Sequence, residues 1–332
     1  MAARTSSGAG DSKGSRDPRG RDAETPSQIP ARGWKDILWR LWEEVSEDRV
    51  TLIAAGASYY VLLALFPTLA AFVSLYGLVA DPMTISQHLS YLAGIVPQGG
   101  LDLIRSQLES LVSQNQSSLS ISFLVSLGLA LWSADSGVKT LFEALNIAYG
   151  EKEKRSFIML NLQALAFTLG AMLVVMLMII AIGVIPAVLA FLQIGQFSKT
   201  LIAIARWPIA FLVIATGISL LYRYGPSREK AQWRWITWGS AFATIVWIAV
   251  SIGFSYYLQN FADYNATYGS LGAVIGFMIW MWLSVAVIMI GAELDAEMEH
   301  QTAKDTTDGE PKPMGERGAA MADTLGKTAD ET

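Results

Sequence analysis

Apolar residues along this chain gather into six long runs, 52–79, 119–138, 157–192, 201–222, 236–258 and 271–294, separated by polar stretches. A helix crossing a bilayer needs about 20 predominantly apolar residues, which most of these runs supply. The second run is short, Leu119–Trp132, and reaches that length only by extending through Ser133 to Val138. The third is too long for one straight crossing and contains Gly183 and Pro186, where it can tilt or kink. Between the runs, helical spacing recurs in amphipathic form. Trp34, Ile37, Leu38, Leu41, Trp42 and Val45 form a stripe with Lys35, Arg40, Glu43 and Glu44 off it. That helix either lies in the membrane interface or packs on the protein's own cytoplasmic side. Leu101, Ile104, Leu108, Leu111 and Val112 predict a helical cap within the long loop of about 81–118. Val138, Leu141, Phe142 and Leu145 predict a second surface helix on the cytoplasmic side.

Composition agrees with a membrane protein. Hydrophobic residues are 52% of the 332 positions and charged residues 16%, against about 25% charged in an ordinary soluble chain. Much of the charge sits at the two ends. Residues 1–31 and 301–332 have few large apolar groups to offset chain entropy and are predicted to be disordered tails around a membrane domain at 32–300. The N-terminal stretch has no apolar core of a signal peptide, so insertion is expected through the first span itself.

Loop charge gives the orientation. With the N-terminus in the cytoplasm, the first loop carries only Arg105, and the second carries Lys139, Lys152, Lys154 and Arg155. The third carries Lys199, the fourth Arg223, Arg228, Lys230 and Arg234, and the fifth no basic residue. Basic residues therefore alternate as six spans with both termini cytoplasmic require. Splitting the third run into two crossings would put the Arg223–Arg234 cluster outside.

Chemistry for an enzyme is sparse. There are no cysteines and two distant histidines, His88 and His300, so no His-rich metal site is expected and no cofactor is implied. No Walker loop, G-x-S-x-G elbow or H-E-x-x-H motif is present. The basic loops are short and close to the bilayer. Anionic lipid headgroups rather than nucleic acid are their expected partners. An aromatic and small-residue seam would serve a homo-oligomer interface as well as a monomer interior.

Polar residues that a bilayer penalises are the candidates for function. In the first run, Tyr59 and Tyr60 precede Pro67. Proline in a helix interior removes a hydrogen bond and clashes with the previous turn. The result is either a simple kink or a broken helix whose freed carbonyls line a path with the tyrosine hydroxyls. Tyr264, Asn265, Tyr268 and Gly269 concentrate hydrogen-bonding groups ahead of the last run, and Gly269, Gly272 and Gly276 offer a close-packing seam. Glu293 follows roughly 20 apolar residues. It is either an ionisable group at membrane depth, which marks function by default, or solvated at headgroup level. Asp135, just past the second run, poses the same question.

Four stretches together, Ala54–Leu78, Leu131–Phe157, Phe261–Trp282 and Gly291–Glu297 (the last reading GAELDAE), resemble the YihY / virulence factor BrkB family of inner-membrane proteins, formerly labelled "ribonuclease BN". The resemblance covers about 34–299. It implies an all-α, six-helix protein of the bacterial inner membrane without an established activity, and a role in handling lipids or envelope precursors. The family-like positions are Tyr60, Pro67, Asn146, Arg155, Tyr264, Asn265, Tyr268, Gly269 and Glu293. The expectation is a transporter or flippase-like protein for a lipid-like substrate, with a non-transporting scaffold as the alternative and ribonuclease activity disfavoured.

Overall fold

The computed structural model describes residues 17–76, 98–113, 121–179, 196–260 and 271–331. Among them the chain is all-α, with one isolated antiparallel bridge between Ala231 and Thr307. The helices are α1 (Ala31–Glu47), α2 (Val50–Tyr76), α3 (Gln98–Ser113), α4 (Ile121–Ala148), α5 (Phe157–Ile179), α6 (Gln196–Tyr224), α7 (Trp233–Asn260), α8 (Gly272–His300) and the short α9 (Ala320–Asp323). Four are long and apolar enough to cross a membrane: Val50–Leu75, Phe157–Met176, Trp233–Asn260 and Gly272–His300. The apolar stretch Pro208–Tyr224 is shorter.

Packing follows from small residues and shared hydrogen bonds, since lipid tails give helices no hydrophobic reason to associate. At the α7–α8 crossing Gly239 faces Gly291: a Cβ at 239 would collide with the Gly291 carbonyl oxygen, and a Cβ at 291 with the Tyr222 hydroxyl and the Ala243 Cβ. Along the same seam Trp247 donates to Ser284 Oγ at 2.9 Å and Trp280 to Ser251 Oγ at 3.0 Å. From α6, the Tyr222 hydroxyl donates to the Ile288 carbonyl at 2.6 Å. The α2–α8 seam is also built of small side chains. Ala54 and Ala57 pack with Ala286, Val285 and Met289, and Ala144 of α4 closes the group.

The structure revises three elements of the pattern read off the sequence and decides one more, α1, that was left open. First, α4 is one helix through Ala148, so the face of Leu141, Phe142 and Leu145 is not a separate surface helix. Phe142 and Leu145 are fully buried. Second, α8 continues to His300, six residues past the expected end at 294, because its acidic residues find partners inside the protein. Third, α1 packs on the protein: Ile37, Trp34 and Leu41 meet Trp235, Leu294 and Met298. Leu38 and Trp42 stay exposed, Trp42 at 77%.

Fourth, residues 17–30 and 301–331 are laid against the bundle instead of being disordered tails. Arg19 pairs with Asp36 at 2.8 Å. Ala303 N donates to the Arg21 carbonyl at 2.8 Å, and Gln232 N donates to the Thr306 carbonyl at 2.8 Å. Buried Arg317 donates to the carbonyls of Lys312, Ala322, Ala303 and Lys304. A composition test misses this because ion pairs and bonds to backbone carbonyls hold these segments along with a few small or single apolar side chains such as Ala23 and Ile29.

The expected cap is present in part. α3 buries Leu101 and Leu108 against Phe277 and Met281 of α8 and Ala71–Val73 of α2, at the end of the bundle away from the chain termini. The rest of the loop, and the 180–192 part of the third run, lie outside the described residues.

Candidate functional site

The last two turns of α8 place Glu293, Asp295, Glu297 and Glu299 at two-residue intervals, and all four are buried. At 3.6 residues per turn, Glu293 and Glu297 share one face and Asp295 and Glu299 roughly the opposite one. Each face has an outer carboxylate with a guanidinium. Arg40 of α1 donates through Nε to Glu297, and through Nη2 to Gln301 Oε1 at 2.8 Å. On the other face, Arg228 grips Glu299 with two hydrogen bonds of 3.1 and 2.6 Å, and Thr306 adds a third to Glu299 at 2.6 Å. The Arg228 guanidinium lies over the Tyr149 ring at 5.0 Å.

The inner carboxyls, one turn deeper, have no such cation. Asp295 Oδ1 accepts from Gly239 N at 2.7 Å, while its Oδ2 has no hydrogen-bond partner among the described residues. Glu293 Oε1 likewise has none, and the Glu293 carboxyl is in hydrogen-bonding contact with Asp48. Asp48 ends α1, and Arg49 after it takes a left-handed φ of 51° to start α2. Burial pushes the Asp48 carboxyl above its ordinary range, opposed by its hydrogen bond with Glu293. Burial and the Glu297 charge push Glu44 up as well.

The other predicted residues fall at three places. Tyr59 and Tyr60 lie on an outward face of α2, half-exposed and in edge contact at 5.5 Å. α2 runs unbroken through Pro67, which only leaves the Leu63 carbonyl without its helical donor. Next to it Thr68 Oγ1 donates to the Ala64 carbonyl at 2.5 Å. Asn146 and Arg155 join two loops. Asn146 Oδ1 accepts from Ser227 N at 2.6 Å and its Nδ2 donates to Glu153 at 3.2 Å. Arg155 holds Glu153 at 2.6 Å and donates to the Gly225 carbonyl at 2.9 Å. The hydrogen bonds from Arg155 hold the Glu153 carboxyl down at about 2. Asp135 is buried and paired with Lys139 at 3.0 Å. Tyr264, Asn265, Tyr268 and Gly269 lie outside the described residues. The structure thus does not bring Asn146 and Arg155 to Glu293. It brings Asp48 there and Arg40 to Glu297 on the same face, with Asp295 and the Arg228–Glu299 pair on the opposite face, and none of Asp48, Arg40, Asp295 and Arg228 was singled out as a site residue from the sequence. The two-residue alternation of acids in a helix was the signal available.

Residues 41–315 match the profile of virulence factor BrkB. The chain belongs to the virulence factor BrkB family. Within it, this protein is 33% identical to the ribonuclease-like protein YfkH of Bacillus subtilis over 254 residues, covering 73% of this chain and 88% of that one. It is 24% identical to a UPF0761 membrane protein of Pseudoalteromonas translucida, covering 78% and 85% of the two chains. A UPF0761 membrane protein of Vibrio vulnificus is likewise 24% identical, with 82% and 87% covered. No solved structure matches. The BrkB match ends in the C-terminal segment, beyond the acidic turns of α8, so the whole carboxylate cluster lies inside it. Among the described residues no group of three or more His, Cys, Asp or Glu is arranged to hold a metal ion.

Proposed function

We propose that this BrkB-family protein is a transporter or flippase-like carrier of a lipid-like, amphipathic envelope substrate. It sits in the bacterial inner membrane with six spans and both termini in the cytoplasm, and is not an enzyme. The observation that carries the reading is Glu293: a buried carboxyl with no cationic partner among the described residues, in an apolar helix long enough to span. Keeping such a group in a membrane helix is costly, and it is retained where ions or substrates are handled. One feature of α2 supports it. The helix presents Tyr59 and Tyr60 outward, where an amphipathic molecule can be met by rings and hydroxyls together. Exposed Lys152, Lys154, Lys230 and Arg234 suit anionic headgroups at the same end.

The test is mass spectrometry of lipids retained when the protein is extracted into native-lipid nanodiscs, comparing wild type with Tyr59→Ala/Tyr60→Ala. One lipid or envelope precursor enriched in wild type and lost in the variant is the expected result. Identical bulk lipid in both, together with a co-purifying protein, would replace this reading with that of a membrane scaffold.

A further inference from the structure

The charge count around the end of α8 does not balance. Four buried carboxyls enter, and two guanidinium groups, Arg40 and Arg228, meet the outer pair. Asp48 adds a fifth carboxyl, in contact with Glu293. Two carboxylates cannot share a hydrogen bond unless one carries a proton, and like charges in a partly buried site repel strongly.

Among the described residues no ion pair joins Asp48 or Glu293 to a cation, and Arg49, next to Asp48 in the chain, is exposed. From α1 the site is faced by Glu44 and Glu47, with Arg40 committed to Glu297. From α8 itself come Glu297 and, 3.5 Å from Glu297, His300. The adjoining α2 and α4 contribute Val50, Ala54 and Ala144, all apolar. A second, separate observation points the same way: Glu293 Oε1 is buried and has no partner among the described residues. Access is graded. Glu293 is enclosed, Asp48 and Glu44 are part-exposed, and Glu47 is open to solvent. Asp295 on the opposite face is enclosed and tied to Gly239, so it lacks that route.

We propose that Asp48 and Glu293 hold one exchangeable proton between them, taken up from water past Glu44, and that this site is the coupling site of the carrier. The inference deepens the transport reading and rests on it for the word coupling; the proton site itself stands on the carboxyl geometry. When the proton leaves to water, two carboxylates remain in contact. Their repulsion acts between the end of α8 and the α1–α2 turn, where Arg49 holds a left-handed conformation.

The experiment uses the full chain in nanodiscs and follows the infrared carboxylic-acid C=O stretch against pH, with Glu293→Gln and Asp48→Asn as variants. Wild type is expected to show one carboxylic-acid equivalent that titrates away as pH rises. Glu293→Gln loses that equivalent. Asp48→Asn keeps it but shifts its midpoint to lower pH, because the neighbouring negative charge is gone. A spectrum unchanged in folded Glu293→Gln, or a midpoint unmoved in Asp48→Asn, overturns the proton site. The lipid experiment above fails separately: a titrating Glu293 with no bound substrate would leave the proton site and remove the carrier.

Discussion

Gly239→Ala is the sharpest test of the helix crossing on which the buried cluster depends. A Cβ at residue 239 would collide with the carbonyl oxygen of Gly291 and with the carboxyl of Asp295. Neither can swing aside: one is backbone, and the other is pinned by the 2.7 Å bond from Gly239 N. The helices must separate. Overpacking of this kind costs about 1–3 kcal/mol, and weakening a buried hydrogen bond adds about 1 kcal/mol or more. A total of roughly 2–4 kcal/mol corresponds to a fall in Tm on the order of 5–10 °C by the scaling for larger domains. The assay is thermal unfolding in detergent, read by the monodisperse fraction on size exclusion. Gly253→Ala is the control on the same helix, because its Cβ meets nothing within 4 Å. It should be neutral or slightly stabilising through helix propensity. If Gly239→Ala and Gly253→Ala both unfold with the wild type, the two helices do not meet at Gly239 and the argument fails.

Arg228→Ala strips the cation from buried Glu299 and should cost about 3–5 kcal/mol, whereas Arg228→Met/Glu299→Met should recover most of it, since removing both charges leaves none stranded. A thermal-shift series compares the two. Truncation after Gln301 removes Thr306 from Glu299, Asp308 from Arg223 and the Lys327 carbonyl from Arg40. It should lower Tm and speed hydrogen exchange in α1, and an unchanged α1 would show that the segment is not structural. Glu153 is held below its ordinary 4.5, at about 2, by Arg155. Its contribution is therefore full above about 4.5 and is lost as pH falls towards 2. Hydrogen-exchange protection of the 149–156 loop, taken relative to the intrinsic rate at each pH, should fall over that window in wild type and stay flat in Glu153→Gln.

How much of this was legible in the sequence depends on the range of the interactions. Apolar runs identify the long helices because each helix satisfies its own backbone hydrogen bonds, so a local pattern suffices in lipid. The Trp34–Leu41 stripe and the Leu101–Leu108 stripe were legible for the same reason. Glu293 stood out because it is a lone charge after a long apolar run. Its partner Asp48 did not, since 245 positions apart in the chain it becomes significant only when the left-handed turn at Arg49 folds α1 back onto the end of α8. The same holds for Arg40 with Glu297, and for the segments at both ends, whose polar composition reads as unstructured until distant groups meet them, as Asp36 of α1 meets Arg19 and the Gln301 amide donates to the Arg19 carbonyl. Sequence by itself determined where the chain is helical and apolar, because those choices are made within a few turns. Only the tertiary structure decided which buried charges are paired and which are left without a cation, because that balance is struck between helix ends far apart in the chain.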